Sequence, residues 1–103
     1  MSYQVNTRWS GSEPMPSVDR MREILTELDA GNDDEHPSVS LTHDSEWSIS
    51  AFPDGLVIWE NASEDVACHM LHVSRSRVLE LWTLLAEGRI DTILGEPWIL
   101  GYV

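Results

Sequence analysis

Four histidines and one cysteine are the residues of this 103-residue chain whose types could support metal binding or nucleophilic catalysis. His69 and His72 are three residues apart on a predicted strand, so their side chains point to opposite faces and cannot readily hold one metal ion. Cys68 and His69 are neighbours on that strand and therefore point apart, which disfavours a thiol–base pair. His36 and His43 have no second ligand at a useful spacing. The sequence predicts no metal site, no cofactor and no catalytic residue.

Carboxylates are the most abundant groups that could do chemistry. The chain has 18 acidic residues and six arginines, no lysine, and a formal net charge of −12. The whole of this imbalance lies between Glu13 and Asp65, where 14 acids meet two arginines. Such a field repels nucleic acid and anionic membranes and attracts a basic protein. The simpler interpretation is that the charge only keeps the protein in solution.

A basic partner would meet the acids of the predicted loops and sheet edge. Residues 32–37 do not have the alternating ligands and distal glutamate of a calcium-binding loop, so an acidic loop facing solvent or a partner is expected there. The candidate partner-binding acids are Asp33, Asp34, Glu35, Asp44, Glu46, Asp54, Glu60, Glu64 and Asp65.

The elements that must position these acids are short antiparallel strands between Ser38 and Val73. The segment Pro53–Gly55 predicts a three-residue hairpin loop, because proline presets φ and glycine accepts φ > 0. This loop pairs Ile49 with Trp59, and a loop at residues 44–46 pairs Leu41 with Ile49. One face then collects an apolar set consisting of Val39, Leu41, Trp47, Ile49, Ala51, Val57 and Trp59. A fourth strand is predicted at residues 66–73, and its register stays open because both parities contain apolar residues.

The other face of this predicted sheet carries a second apolar group, Phe52, Leu56 and Ile58. A terminal segment could cover these three residues, or they could form an exposed patch that binds a partner.

Helical periodicity flanks the strands. Ser17 and Ser74 are predicted N-caps, and Gly31 and Gly88 are predicted stops. Residues 1–16 are predicted to be an irregular N-terminal arm that could add an edge strand, and residues 17–103 a single domain. The tail from residue 97 is too apolar to be free in solvent and is expected to pack as an edge strand, a clamp or part of an interface. The predicted fold is α+β: a four- to five-stranded antiparallel meander sheet with two amphipathic helices packed on one face.

The order of these elements resembles the small acidic immunity proteins of bacterial polymorphic toxin systems, particularly their first-numbered superfamily. The similar parts are the leading helix at residues 18–28, the strands from Val39-Ser40-Leu41 through Leu56-Val57-Ile58-Trp59, and the closing helix with Leu79-Glu80-Leu81-Trp82. The resemblance implies a non-catalytic protein that binds and neutralises a cognate secreted toxin, commonly one that acts on nucleic acid. It carries over no individual functional residue.

Three functions stay open at this point. The first is the neutralisation of a basic toxin or other protein partner by the acidic loops. The second is an acidic secretion chaperone or adaptor, usually a dimer, that holds a partner through the second apolar group and the tail. The third is a small enzyme or ligand-binding domain, which would require a deep pocket with convergent polar groups. No apolar run of membrane-spanning length and no signal pattern is present, so a cytoplasmic monomer or homodimer is expected, without nucleic-acid or membrane contacts.

Overall fold

The computed structural model of the protein describes residues 2–31, 35 and 37–101. Within these residues the chain forms seven strands, three α-helices and one 3₁₀ turn. In chain order these are β1 (Tyr3–Asn6), β2 (Ser12–Pro14), α1 (Val18–Thr26), the 3₁₀ turn (Glu27–Ala30), β3 (Val39–His43), β4 (Trp47–Ala51), β5 (Val57–Asn61), β6 (Val66–Met70), α2 (Arg75–Ala86), α3 (Ile90–Leu94) and β7 (Ile99–Leu100).

The strands pair in one antiparallel sheet in the order β2-β1-β3-β4-β5-β6-β7. The predicted α+β class is confirmed, but the predicted four to five strands were too few for the part of the chain that the structure describes. The additional strands come from the two ends of the chain. The short tail strand β7 pairs with β6, which confirms the expected edge strand for residues 99–100.

Residues 3–6 and 12–14 form strands and not irregular structure, so the alternative of an added strand holds for this segment, with β2 at the edge of the sheet. The breakers that suggested an irregular arm, Gly11 and Pro14, lie in the turn and in the outermost strand, where a sheet tolerates them. Gly11 has φ = 79°, and its carbonyl accepts a hydrogen bond from the Thr7 N–H at 2.9 Å. Strand β1 lies between β2 and β3, and Val5 is fully buried there.

The predicted hairpin registers are confirmed. Ile49 pairs with Trp59 and Ala51 with Val57 across the turn at residues 52–56, where Gly55 has φ = 92°. Leu41 pairs with Ile49 in the preceding hairpin. The open question about the fourth strand is resolved by the pairing of Trp59 with Cys68. That strand ends at Met70, three residues before its predicted end.

The helices α1 and α2 pack on one face of the sheet, which we call the core face. The side chains of Ser17 and Ser74 accept hydrogen bonds from the N–H groups of Arg20 and Arg77, so both predicted N-caps are confirmed. The buried residues of the three helices join the strand residues in a single apolar cluster. Trp82 at its centre is fully buried, and its indole Nε1–H donates to the Ile49 carbonyl at 3.1 Å.

Three indole rings form a stack on the core face. Trp47 stacks on Trp59 with 4.2 Å between the ring centroids, and Trp98 lies 6.0 Å from Trp59 on a nearly parallel plane. The Trp98 Nε1–H donates to the Ile93 carbonyl at 2.9 Å. The tail is therefore joined to the core through Trp98, while the side chain of Leu100 is 84% exposed.

None of the described helices has the length and apolar character needed to cross a lipid bilayer.

Candidate functional site

The sheet face opposite the core face, which we call the open face, is made of two cross-strand rows, because paired residues of antiparallel strands lie on the same side. The first row carries Glu60 among small or uncharged side chains, and the second ends in apolar residues and a histidine. The first row is Pro14, Gln4, Thr42, Ser48, Glu60 and Ala67; the second is Ser12, Asn6, Ser40, Ser50, Ile58, His69 and Ile99.

Four of the predicted acids lie at one end of the sheet. The turn between β3 and β4 carries Asp44 and Glu46, and the turn between β5 and β6 carries Glu64 and Asp65. Because neighbouring strands run antiparallel, these two alternate turns lie at the same end. All four residues are exposed. We call this group the acidic end; Glu60, half-buried in the first row of the open face, lies next to it.

The side chain of Asn61 fixes the two turns to each other. It is only 1% exposed, its Oδ1 accepts from the N–H groups of Ser63 and Glu64, and its Nδ2 donates to the Ser45 carbonyl. The same Nδ2 lies 3.3 Å from Glu64 Oε2 and donates to it. In the turns themselves, Glu46 has φ = 72° and Asp65 has φ = 53°, a left-handed conformation that Asn and Asp tolerate better than other side chains.

Asp44 links the acidic end to the start of β1. Its Oδ2 accepts from the Ser2 N–H at 2.7 Å and its Oδ1 from the Ser2 hydroxyl at 2.6 Å. Both hydrogen bonds lower the pKa of the Asp44 carboxyl below its ordinary value, and the bond from the Ser2 hydroxyl has the larger effect.

This lowered pKa predicts how the Ser2–Asp44 contact depends on pH. Above the ordinary aspartate pKa of about 3.9 the contact contributes fully to stability, and it is lost as the pH falls through the lower pKa of the folded state. We expect the Ser2 amide signal in NMR spectra to titrate with a midpoint below about pH 3.9. Asp44→Asn should abolish this titration, whereas a midpoint at or above the ordinary value would contradict the contact.

The other predicted acids are not brought to the acidic end. Asp54 lies in the turn at the opposite end of the sheet, where its Oδ1 accepts from the Leu56 N–H at 3.1 Å. Glu35 is exposed and precedes β3, which begins at that same opposite end. Asp33 and Asp34 lie outside the described residues. The predicted single acidic surface is therefore divided, and Asp44, Glu46, Glu60, Glu64 and Asp65 form its coherent part.

Four arginines form ion pairs with acids outside this part, on the helices and on the N- and C-terminal segments. The ion pairs join Arg20 to Glu13 and Glu23, Arg22 to Asp19, Arg75 to Asp29, and Arg77 to Glu80 and Glu96. The hydrogen bond from Arg20 lowers the pKa of the Glu13 carboxyl, and the one to Glu96 raises the pKa of Arg77. Within the described residues, none of the four acids at the acidic end is paired with an arginine. Residues 38–73 contain six acids and no arginine or lysine.

Arg75 and Arg77 lie in the first turn of α2 and oppose its dipole, so nearby acidic groups would stabilise them. The protein's own groups fill this role. Arg77 pairs with Glu96 and Glu80, and Arg75 lies 3.6 Å from the Asp29 carboxylate and donates to the carbonyls of Phe52 and Pro53.

The predicted apolar patch is largely covered. Ile58 is 9% exposed, and Phe52 and Leu56 are half-buried. More exposed apolar side chains lie on the tail strand, where Ile99 is 52% and Leu100 is 84% exposed. The alternation of apolar and polar residues along the strands did not predict the exposure of Ile99 and Leu100, because this exposure results from the position of β7 at the sheet edge.

The described histidines and the cysteine take structural positions, and His36 lies outside the described residues. His69 Nδ1 lies 2.8 Å from the Gly101 carbonyl, and His43 Nδ1 accepts from the Ser45 N–H at 3.1 Å. Cys68 is half-buried on the core face opposite Trp59. His72 has φ = 57° and lies beyond the end of β6, not on the strand that was predicted for it. Across the described part of the chain, no group of three histidine, cysteine or acidic side chains is placed to hold a metal ion.

Comparison with protein-family models, curated proteins and solved structures gave no match to this chain.

Proposed function

We propose that this protein is a non-catalytic binding protein that holds and neutralises a basic protein partner at the acidic end and the adjoining first row of the open face. The observation that carries the proposal is the separation of charge. The arginine ion pairs lie with the acids of the helices and terminal segments, while Asp44, Glu46, Glu64 and Asp65 face solvent and form no ion pair with an arginine among the described residues.

The physical consequence is a local negative field that none of the ion-paired arginines neutralises. Such a field speeds the encounter with a basic surface and favours a partner of that charge over nucleic acid or an anionic membrane. The small side chains of the first row, such as Thr42 and Ser48, allow a partner to approach the sheet closely. The resemblance to immunity proteins, which rests on the order of the elements, makes a secreted toxin the partner class that we propose.

A matched pair of triple variants tests this proposal. The first removes three charges from the acidic end by Glu46→Gln, Glu64→Gln and Asp65→Asn. The second, the helical variant, removes three charges from exposed positions on α1, at the C-cap of α2 and on α3, by Glu23→Gln, Glu87→Gln and Asp91→Asn.

Both variants have the same net charge and are immobilised beside the unmodified protein, and partners are captured from a native lysate at low salt. We expect a basic protein that the unmodified protein and the helical variant retain and the acidic-end variant loses. Its association rate should fall as salt is raised, because the Debye length shortens to about 10 Å at 0.1 M. Equal capture by both variants, or a rate independent of salt, would reject the proposal.

The exposed tail strand favours a second candidate, the dimeric adaptor. Ile99 and Leu100 lie on the outermost strand β7, and an uncharged exposed edge strand is a surface for pairing with another chain. Light scattering decides this candidate. A dimer that Leu100→Arg converts to a monomer supports it, and a monomer at high concentration removes it.

A further inference from the structure

A cavity of about 370 Å³ opens where the first row of the open face meets the acidic end. Its walls include Gln4 and Thr42 from that row, Pro14 and Met15 from the end of β2, and Asp44. A volume of this size lies near the lower limit of ligand pockets, about 300–1,000 Å³, so it suits one side chain better than a folded segment.

The polar side of this cavity can bind a cation. Each oxygen of the exposed Asp44 carboxylate accepts one hydrogen bond from Ser2, and a carboxylate oxygen has room for a second. Ser2 therefore fixes the orientation of the carboxylate and leaves each oxygen one lone pair directed away from Ser2. A guanidinium can donate one N–H to such a lone pair and a second N–H to a neighbouring acceptor in the wall, and the single point of attachment of an ammonium group suits this arrangement less well. Thr42 and Gln4 also line the cavity, and both have side-chain oxygens that can accept a hydrogen bond.

The apolar side of the cavity suits the aliphatic part of a long basic side chain. Met15 is 52% exposed and has φ = 45°, a left-handed conformation that is uncommon outside glycine, and its N–H donates to the Tyr3 carbonyl at 3.0 Å. The sheet thus holds an apolar side chain in solvent at the mouth of the cavity. Together with Pro14, it offers a surface on which methylene groups of an arginine would be covered.

We propose that this cavity binds a single arginine side chain of the basic partner, with its guanidinium on Asp44 and its methylene groups against Met15 and Pro14. The inference rests on the proposed function, since it names one contact of the same partner. It specifies which type of basic side chain the partner places on this surface.

NMR titration with a small probe tests the inference without the partner. The probe is N-acetyl-arginine-N-methylamide at millimolar concentration, and its control is the citrulline analogue, which has the same shape and no charge. We expect the arginine probe to shift the amide signals of Gln4, Met15, Thr42 and Asp44 in a saturable way, and the citrulline probe to leave them unchanged.

Two pairs of variants locate the binding. Asp44→Asn should lower the affinity for the arginine probe about ten-fold or more, because it removes a charged hydrogen-bond acceptor. Asp91→Asn on α3 should leave this affinity unchanged. Gln4→Trp should block the cavity, and Asn6→Trp, on the same strand and the same face but outside the cavity lining, should leave binding unchanged. The second pair keeps the test valid if Asp44→Asn disturbs the start of β1.

Three results would overturn the inference: equal shifts with the arginine and citrulline probes, equal affinity for a lysine probe, or full binding by Gln4→Trp. Glu46, Glu64 and Asp65 do not line the cavity. If the arginine probe does not bind but the acidic-end variant still loses the captured partner, this inference alone is rejected. If both triple variants capture the same proteins, the proposed function is rejected.

Discussion

Replacement of Trp82 by alanine should lower the free energy of unfolding by about 3–5 kcal/mol. Trp82 is fully buried between α2 and the sheet, so the substitution removes the largest type of side chain from a packed site. It also leaves the Ile49 carbonyl without the indole donor that now lies 3.1 Å away. Urea denaturation followed by far-ultraviolet circular dichroism measures the change through the midpoint and slope.

Two control variants separate the causes of this loss. Trp82→Phe keeps most of the apolar volume but removes the hydrogen-bond donor. It should therefore lower the free energy of unfolding less than Trp82→Ala does, and the difference between the two variants measures the contribution of packing. Trp9→Ala removes an indole that is 51% exposed and lies 5.0 Å from the Arg8 guanidinium, so we expect a loss of about 1 kcal/mol or less. An unchanged midpoint for Trp82→Ala would contradict the packing of α2 on the sheet.

Asn61→Ala should lower the free energy of unfolding by about 2–3 kcal/mol and should also weaken the proposed binding of a basic partner. The side chain is buried and serves both turns of the acidic end, so its loss leaves the Ser45 carbonyl and the N–H groups of Ser63 and Glu64 without their partner. The two turns would then no longer hold Glu46 and Glu64 in one arrangement.

Hydrogen exchange of the Ser63 and Glu64 amides, measured with the unfolding midpoint, tests this prediction. Asn61→Asp is the informative companion, because it keeps the acceptor oxygen for both amides but places a second oxygen where Nδ2 now faces the Ser45 carbonyl and the Glu64 carboxylate. Asn6→Ala, at an exposed position on β1, should have little effect. Unaltered exchange in Asn61→Ala would show that Asn61 does not hold the two turns together.

The central part of the fold was predictable because its signals are local. The Pro53–Gly55 turn sets the register that pairs Ile49 with Trp59, and a one-residue error would have moved the apolar set to the wrong face. Ser17 and Ser74 cap their helices through bonds to residues three positions along the chain. Such features need no knowledge of distant contacts.

The missed features depend on contacts between distant residues. Strand β1 is defined by its pairing with β3 across more than 30 positions, while the glycine and prolines around it suggest irregular structure. The cavity at Asp44 requires Ser2, which is 42 residues away. The separation of Asp54 and Glu35 from the acidic end follows from which turns share an end of the sheet, and the exposure of Leu100 follows from its place at the edge. The charges and the alternation of apolar residues in the sequence identified the candidate residues but could not predict which of them lie together in the fold.

The stacked indoles give the molecule an internal optical sensor. Trp47 is paired with Asn61, so one end of the stack lies directly beneath the turns of the acidic end, and the other end, Trp98, leads into the tail strand. Rings in stacked contact at 4.2 Å couple in the ultraviolet, and this coupling changes when their relative orientation changes. Docking of the proposed partner at the turns and detachment of the tail should therefore each alter the near-ultraviolet circular dichroism of the unlabelled protein, from opposite ends of the stack. Trp98→Phe would remove the signal of the tail and leave that of the turns.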